Sequence, residues 1–168
     1  AVVEIVDIAG IVKGASQGEG LGNQFLSHIA EVDALIQVVR CFEDKDIVHV
    51  NGSVDPVRDM EIIKTELILK DLDILAKHKI RAEKASKSGD KKAQGVMALL
   101  ERFEKGFNEG KTAHQTGRTA EEKALLKDVR FLTDKPILYA ANVAESELGK
   151  PDSYHTAAVQ TRAKEEGY

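Results

Sequence analysis

The stretch VVEIVDIAGIVKGASQGEGLG, Val2 to Gly22, decides how the rest of the chain is read. Val2, Val3, Ile5, Val6 and Ile8 are β-branched and apolar, and Glu4 is the one polar interruption before Asp7. A near-continuous apolar run suits a strand covered on both faces, as in a parallel α/β sheet. Asp7 falls where that strand should end, and with Gly10 it makes D-x-x-G. A carboxylate at a strand's carboxyl end can reach a metal-bound water near a phosphate, and a glycine lets its backbone N–H approach a terminal phosphate closely. Four residues alone fit an ordinary Asp–Gly turn equally well. The glycine pattern tips the balance: Gly10, Gly14, Gly18, Gly20 and Gly22 recur, with Lys13, Ser16 and Gln17 among them. Such a loop cannot be held rigid by its own side chains, so it should change state with whatever sits beside it, as a phosphate-sensing switch does. A plain linker fits poorly, because amphipathic sequence resumes at Phe25, Leu26 and Ile29.

Outward from this stretch, the spacing predicts a helix over Asn23–Val32, with Asn23 as N-cap and Phe25, Leu26 and Ile29 on one face. His28 on that helix is either an ordinary surface histidine or a residue close to the nucleotide or a partner. Ala34–Phe42 (ALIQVVRCF) reads as the second strand, followed by the acidic run Glu43–Asp46, which fits a solvated loop. From Pro56 the pattern turns helical, with proline suited to a first helical position. Ile62, Ile63, Leu67, Ile68, Leu69, Leu72, Ile74 and Leu75 form a broad apolar band that should pack against the sheet domain. After Ala76 the helix is nearly all polar and should project into solvent or meet a single neighbour. Gly89-Asp90 marks a tip, and Val96, Leu99, Leu100, Phe103 and Phe107 return at helical spacing. Gly106, Gly110 and Gly117 break the chain, and a last helix is expected over Thr119–Thr133, with Thr119 and Glu122 at capping-box spacing. Pro56–Thr133 thus reads as an antiparallel helical arm between two strands, far longer than the dozen or so residues a crossover needs.

Pro136–Ala141 (PILYAA) is the expected third strand, and Pro151–Glu166 a short polar helix. Between them, Asn142, Val143, Ala144 and Glu145 occupy the place of the N-K-x-D base-reading motif of GTPases. In those enzymes the acid accepts hydrogen bonds from guanine, and a pocket built that way rejects bases lacking the donors. Here Val143 replaces the lysine, and Glu145 is one methylene longer than aspartate, so guanine should not be met in the same geometry. The residue after D-x-x-G, a water-orienting glutamine in Ras-like GTPases, is Ile11. An apolar side chain cannot orient that water, so hydrolysis needs another orienting group and should be slow unaided.

DIAGIVKGASQGEGLGNQFLSHI, Asp7 to Ile29, resembles the switch II region of the Obg family of P-loop NTPases, and more narrowly its YchF subfamily, the Obg-like ATPases. The resemblance implies an α/β fold: part of a Ras-like P-loop NTPase domain, mostly parallel, carrying an inserted antiparallel coiled-coil arm. It divides the chain at 1–55 (switch II and the following strand), 56–133 (the helical insertion) and 134–168 (the base-reading motif). It implies a ribosome-associated ATPase that hydrolyses ATP slowly and uses the nucleotide state as a switch. Asp7 would sense Mg2+ through water, Gly10 the terminal phosphate, and Asn142, Val143 and Glu145 the base, with ATP preferred over GTP; K+ is a candidate cation to assist. Asp7, Gly10 and Ile11 are then the catalytic candidates. The outer arm, with Lys77, Lys79, Arg81, Lys84, Lys87, Lys91 and Lys92, is either a ribosome or ribosomal-RNA contact or a solvated basic surface.

The sequence has no G-x-x-x-x-G-K-[ST]. The resemblance places that phosphate cradle before Ala1, on a strand lying between Val2–Ile8 and Ala34–Phe42, and a TGS domain beyond the other end. The chain therefore reads as a segment of a longer protein, expected to be inactive alone and to bind ATP poorly. The 168 residues suffice for one modest domain, and 42% hydrophobic with 31% charged is ordinary globular composition. Net charge of −4 and a pI near 5.8 do not advertise nucleic-acid binding over the whole surface. Cys41 is the single cysteine, so no internal disulfide forms and a reducing cytoplasm is the expected compartment. No apolar run approaches a membrane span, and a monomer is expected. Two other readings stand beside the ATPase: a GTPase of the wider family, and a non-enzymatic coiled-coil interaction module.

Overall fold

A computed structural model describes residues 2–8, 22–44, 52–87 and 90–168. Its elements are α1 (Gly22–Glu31), β1 (Leu35–Arg40), α2 (Pro56–Lys87), α3 (Lys91–Asn108), α4 (Ala113–Thr116), α5 (Ala120–Leu125), β2 (Ile137–Asn142) and α6 (Tyr154–Glu166). Short 3-10 turns lie at Leu132–Asp134 and Glu145–Glu147. β1 and β2 are parallel, in register from Leu35 opposite Ile137 to Arg40 opposite Asn142. Parallel neighbours need a crossover between them, and here it is the whole helical section. The architecture is α/β, as expected, with a small parallel sheet and two long helices.

Strand alternation gives the sheet two unlike faces. Val39 and Cys41 are buried with Met60 of α2 and Val159 of α6, and Tyr139 and Val143 pack against them. On the other face Ile36, Val38 and Leu138 are 52%, 67% and 63% exposed. Among the described residues, helices cover one face of the β1–β2 sheet.

Residues 2–8 depart further from expectation, because they form no strand. A strand exists through paired backbone groups, and among the described residues β1 and β2 pair only with each other. Val2, Val3 and Ile5 are accordingly exposed, and only Ile8 reaches a core.

α2 begins as the sequence predicts. Pro56 fills its first position, and the Asp55 carboxylate accepts from Arg58 N–H at 3.0 Å. Asp90 caps α3, accepting from Lys92 and Ala93 N–H. With residues 88–90 alone between them, α2 and α3 pack as an antiparallel hairpin, and Lys79 meets Glu104 at 2.7 Å. Its core holds Ile68, Leu75, Ala82, Leu100, Phe103 and Phe107. The apolar band of α2 is therefore split: Leu67 and Ile63 face α1, whereas Ile68 and Leu75 face α3.

Three boundaries move for identifiable reasons. α1 starts at Gly22, so Asn23 lies inside the helix and is not its cap. Gly106 does not break the chain. It is buried within α3, where an added Cβ would lie 2.5 Å from Thr116 Oγ1, so glycine there permits close approach. Gly110 and Gly117 do break it, at φ of +75° and +69°. The helix expected over Thr119–Thr133 is only α5. Its capping box forms, with Thr119 and Glu122 bonding each other's backbone N–H. Beyond Leu126, however, the adjacent side chains Phe131 and Leu132 enter different clusters, and Asp71 takes the N–H groups of Leu132 and Thr133. At the other end of β2, α6 begins at Tyr154 because Ser153 caps it through Thr156 N–H.

Candidate functional site

Parallel strands carry their functional loops at the carboxyl rim. Here that rim is made by Arg40–Phe42 after β1 and Asn142–Glu145 after β2. Cys41 N–H donates to the Asn142 carbonyl at 2.8 Å, which ties the two chain ends together one step beyond the ladder. Asn142 is exposed, and its side chain has no hydrogen-bond partner among the described residues. Val143 turns inward against the Val39–Cys41 cluster. Glu145 opens the 3-10 turn and is exposed, while Glu147 Oε2 accepts from Ala144 N–H at 3.3 Å and closes the turn. The arrangement fixes the backbone of Asn142 and Val143 and leaves the Asn142 and Glu145 side chains available to a ligand.

Asp7 is exposed in the extended segment, without a hydrogen bond or ion pair among the described residues. Gly10 and Ile11 lie outside the described residues. His28 is exposed on α1. Burial, assisted by the charge of Glu147, pushes the Cys41 thiol up to about 11. It stays protonated at neutral pH, which fits a structural thiol.

Sequence reading passed over Phe42. The ring is half-buried at the rim, the Arg40 guanidinium lies 4.7 Å from its centroid, and Arg40 Nε donates to the Phe42 carbonyl at 3.0 Å. No short motif flags an aromatic there; only the pairing of the strand ends reveals it. The sequence also contains one Gly-Lys-Thr, Gly110–Thr112, and the structure removes it as a phosphate cradle. It comes after a helix instead of a strand. Lys111 pairs with Glu109 at 2.8 Å, and Thr112 is buried as the cap of α4. A groove of about 450 Å³ runs beside β2 and α6, lined by Tyr139, Val143, Leu148, Thr156 and Tyr168. Val143 is the one residue of the Asn142–Glu145 turn that lines it. Among the described residues no His, Cys, Asp and Glu cluster could hold a metal, and no helix is long and apolar enough to cross a membrane.

A parallel sheet with an exposed turn at its rim and a helical hairpin in the crossover fits part of a P-loop GTPase-type domain. A family model described as a 50S ribosome-binding GTPase matches residues 1–79. The chain is 48% identical over 155 residues to the ribosome-binding ATPase YchF of Bacillus subtilis, covering 92% of this chain and 42% of that protein. It is 41% identical over 165 residues to Obg-like ATPase 1 of Saccharomyces cerevisiae, covering 95% of this chain and 42% of that protein. The solved structure of the Schizosaccharomyces pombe YchF GTPase superposes with a TM-score of 0.71 at 32% identity, over 93% of this chain and 43% of that one. The chain belongs to the YchF/Obg-like ATPase family, and it spans less than half the length of these relatives.

Proposed function

We propose that the chain is the switch, hairpin and base-reading section of a cytoplasmic, monomeric ATPase that associates with ribosomes. The turn at Asn142–Glu145 carries this reading. Its backbone is fixed by β1 and by Val143, and its polar side chains face outward at the parallel rim. In this reading adenine is read by backbone groups around Asn142 and Val143, with the Asn142 amide and the Glu145 carboxylate beside it. The base-facing residues fit a nucleotide, whereas the described residues supply no phosphate cradle. Asp7 would hold a water on Mg2+, and Gly10 would approach the terminal phosphate. Mg2+ would supply neutralisation of phosphate charge, with K+ as a candidate aid. Ile11 cannot orient water, so slow unaided hydrolysis is expected. Ribosome association is supported by the names of the relatives and by the exposed Lys77, Arg81, Lys84, Lys91 and Lys92 on the outer hairpin.

Competition between ATP and GTP for the protein of full family length tests the base preference. The GTPase reading is favoured by the description of the matching family model and by the name of the solved relative. Excess GTP failing to displace ATP supports the ATPase; preferential GTP binding overturns it. The paired change Val143→Lys and Glu145→Asp should move the ATP-to-GTP preference ratio at least about tenfold toward GTP, since a hydrogen bond to a charged group contributes about 1.5–3 kcal/mol. The isolated 168-residue chain should bind a fluorescent ATP analogue more weakly than micromolar; micromolar binding would contradict the assignment of phosphate contacts elsewhere.

A further inference from the structure

Residues 131–135 join the helical section to β2, and successive side chains go to different elements. Phe131 is buried with Leu75, Leu100, Phe103 and Phe107 in the hairpin cluster. Leu132 is buried with Leu26, Ile29 and Leu67 in a second cluster. Thr133 donates through N–H and hydroxyl to Asp71 Oδ2 at 2.9 and 2.6 Å, and its hydroxyl oxygen accepts from Ala113 N–H at 2.8 Å. Asp134 pairs with Arg118. Lys135 Nζ donates to the carbonyls of Ala30, at 3.0 Å, and Val32, at the end of α1.

Two further residues complete the connection. Ile8, directly after Asp7, packs in the same cluster as Leu26 and Leu132. The two flanks of the glycine-rich stretch are therefore seated in one cluster. Ile74 packs against that cluster and against the hairpin cluster as well.

We propose that this seam is a mechanical coupling, in which displacement of Ile8 and α1 is passed through Leu132, Ile74, Lys135 and the Asp71 clamp to the helical hairpin. The proposal rests on reading residues 7–22 as a nucleotide-responsive switch, and it deepens that reading by naming the transmission. Interior packing at crystal-like density transmits a shift instead of absorbing it. Asp71 holds the backbone of residues 132–133 through both carboxylate oxygens, so Leu132 cannot move without α2. Helix α2 continues unbroken from there to Lys87. At 1.5 Å per residue that makes a lever of about 24 Å, which enlarges a small tilt at the seam into a larger displacement at the tip.

Spin labels at Lys92→Cys and Lys164→Cys, in the protein of full family length without other reactive thiols, report the hairpin's position against α6. The expected result is a shift of about 2 Å or more in the interlabel distance on adding a non-hydrolysable ATP analogue. Lys135→Met, which releases α1 from the seam, should abolish the shift, and Lys135→Arg should restore it. Should Lys135→Met fail to fold, Ile74→Ala at the half-buried bridge serves as the second variant and should reduce the shift. A shift unchanged in both variants overturns the coupling. ATP affinity is measured on the same samples. Absence of ATP binding sinks the functional reading and the coupling with it, whereas binding without any distance change sinks the coupling alone.

Discussion

Replacing Phe103 by alanine should destabilise the chain by about 3–5 kcal/mol, the range for removing a buried phenyl ring from a core. Phe103 is 0% exposed. Its ring centroid lies 5.0 Å from that of Phe131 and 6.1 Å from that of Phe107. Phe107 and Phe131 meet edge to face at 5.1 Å. Such ring pairs add to simple burial, and this triad fastens α3 to the segment entering β2. The guanidinium groups of Arg102 and Arg118 also lie within 5.8 Å of the Phe103 ring, so truncation leaves cations over a cavity. Urea unfolding followed by circular dichroism measures the loss. For a domain of this size the melting temperature should fall by about 10 °C. Ile80→Ala provides the contrast. Ile80 is 57% exposed on the outer hairpin, and its truncation should change stability by no more than about 0.5 kcal/mol. Equal effects at the two positions would mean that the hairpin root is not the packed centre of this section.

The hairpin was legible in the sequence because its signals are local. Apolar spacing marked α2 and α3, Pro56 the start of the first, and Gly89-Asp90 the tip between them. The strands β1 and β2 were legible as apolar runs bounded by breakers, and the turn at Asn142 followed from the end of β2. Residues 2–8 misled because periodicity reports what a segment could bury, whereas a strand also needs a partner strand beside it, and among the described residues β1 and β2 pair only with each other. Thr119–Thr133 misled for another reason. Leu125, Leu126, Val129 and Leu132 fit helical spacing, yet the chain there is divided between two cores by a carboxylate 61 residues away from Leu132 in sequence. No single-sequence pattern places Asp71 beneath that turn. Lys135 shares this property, since the Ala30 carbonyl it bonds lies 105 residues away in sequence.

Asp71 also gives the second large effect, through pH. It is 0% exposed, and burial pushes its carboxyl up from 3.8 to about 6. The bonds from the Thr133 hydroxyl and from the N–H groups of Thr133 and Leu132 pull it back down, and the neighbouring Asp134 charge raises it. Protonated, the carboxyl can donate to Thr133 Oγ1, which keeps a second lone pair while accepting from Ala113. The folded chain therefore binds this proton more tightly than the unfolded chain does. Stability from Asp71 is fully present below about 3.8 and is lost as pH rises through about 6. At 1.36 kcal/mol for each pKa unit, the loss is on the order of 3 kcal/mol. The carboxylates of Glu83 and Glu122, held below the usual range by hydrogen bonds from Lys87 and Arg102, act in the opposite direction, their contribution fading as pH falls. The raw pH profile of unfolding mixes these trends, so the comparison must be with Asp71→Asn, which cannot titrate at this position. The stability advantage of the parent chain over Asp71→Asn should shrink by about 2 kcal/mol between pH 4 and pH 7. A constant difference across that window would mean that the three donors hold Asp71 ionised throughout. A growing difference would mean that they have driven its carboxyl below the ordinary range, with the clamp strongest when charged.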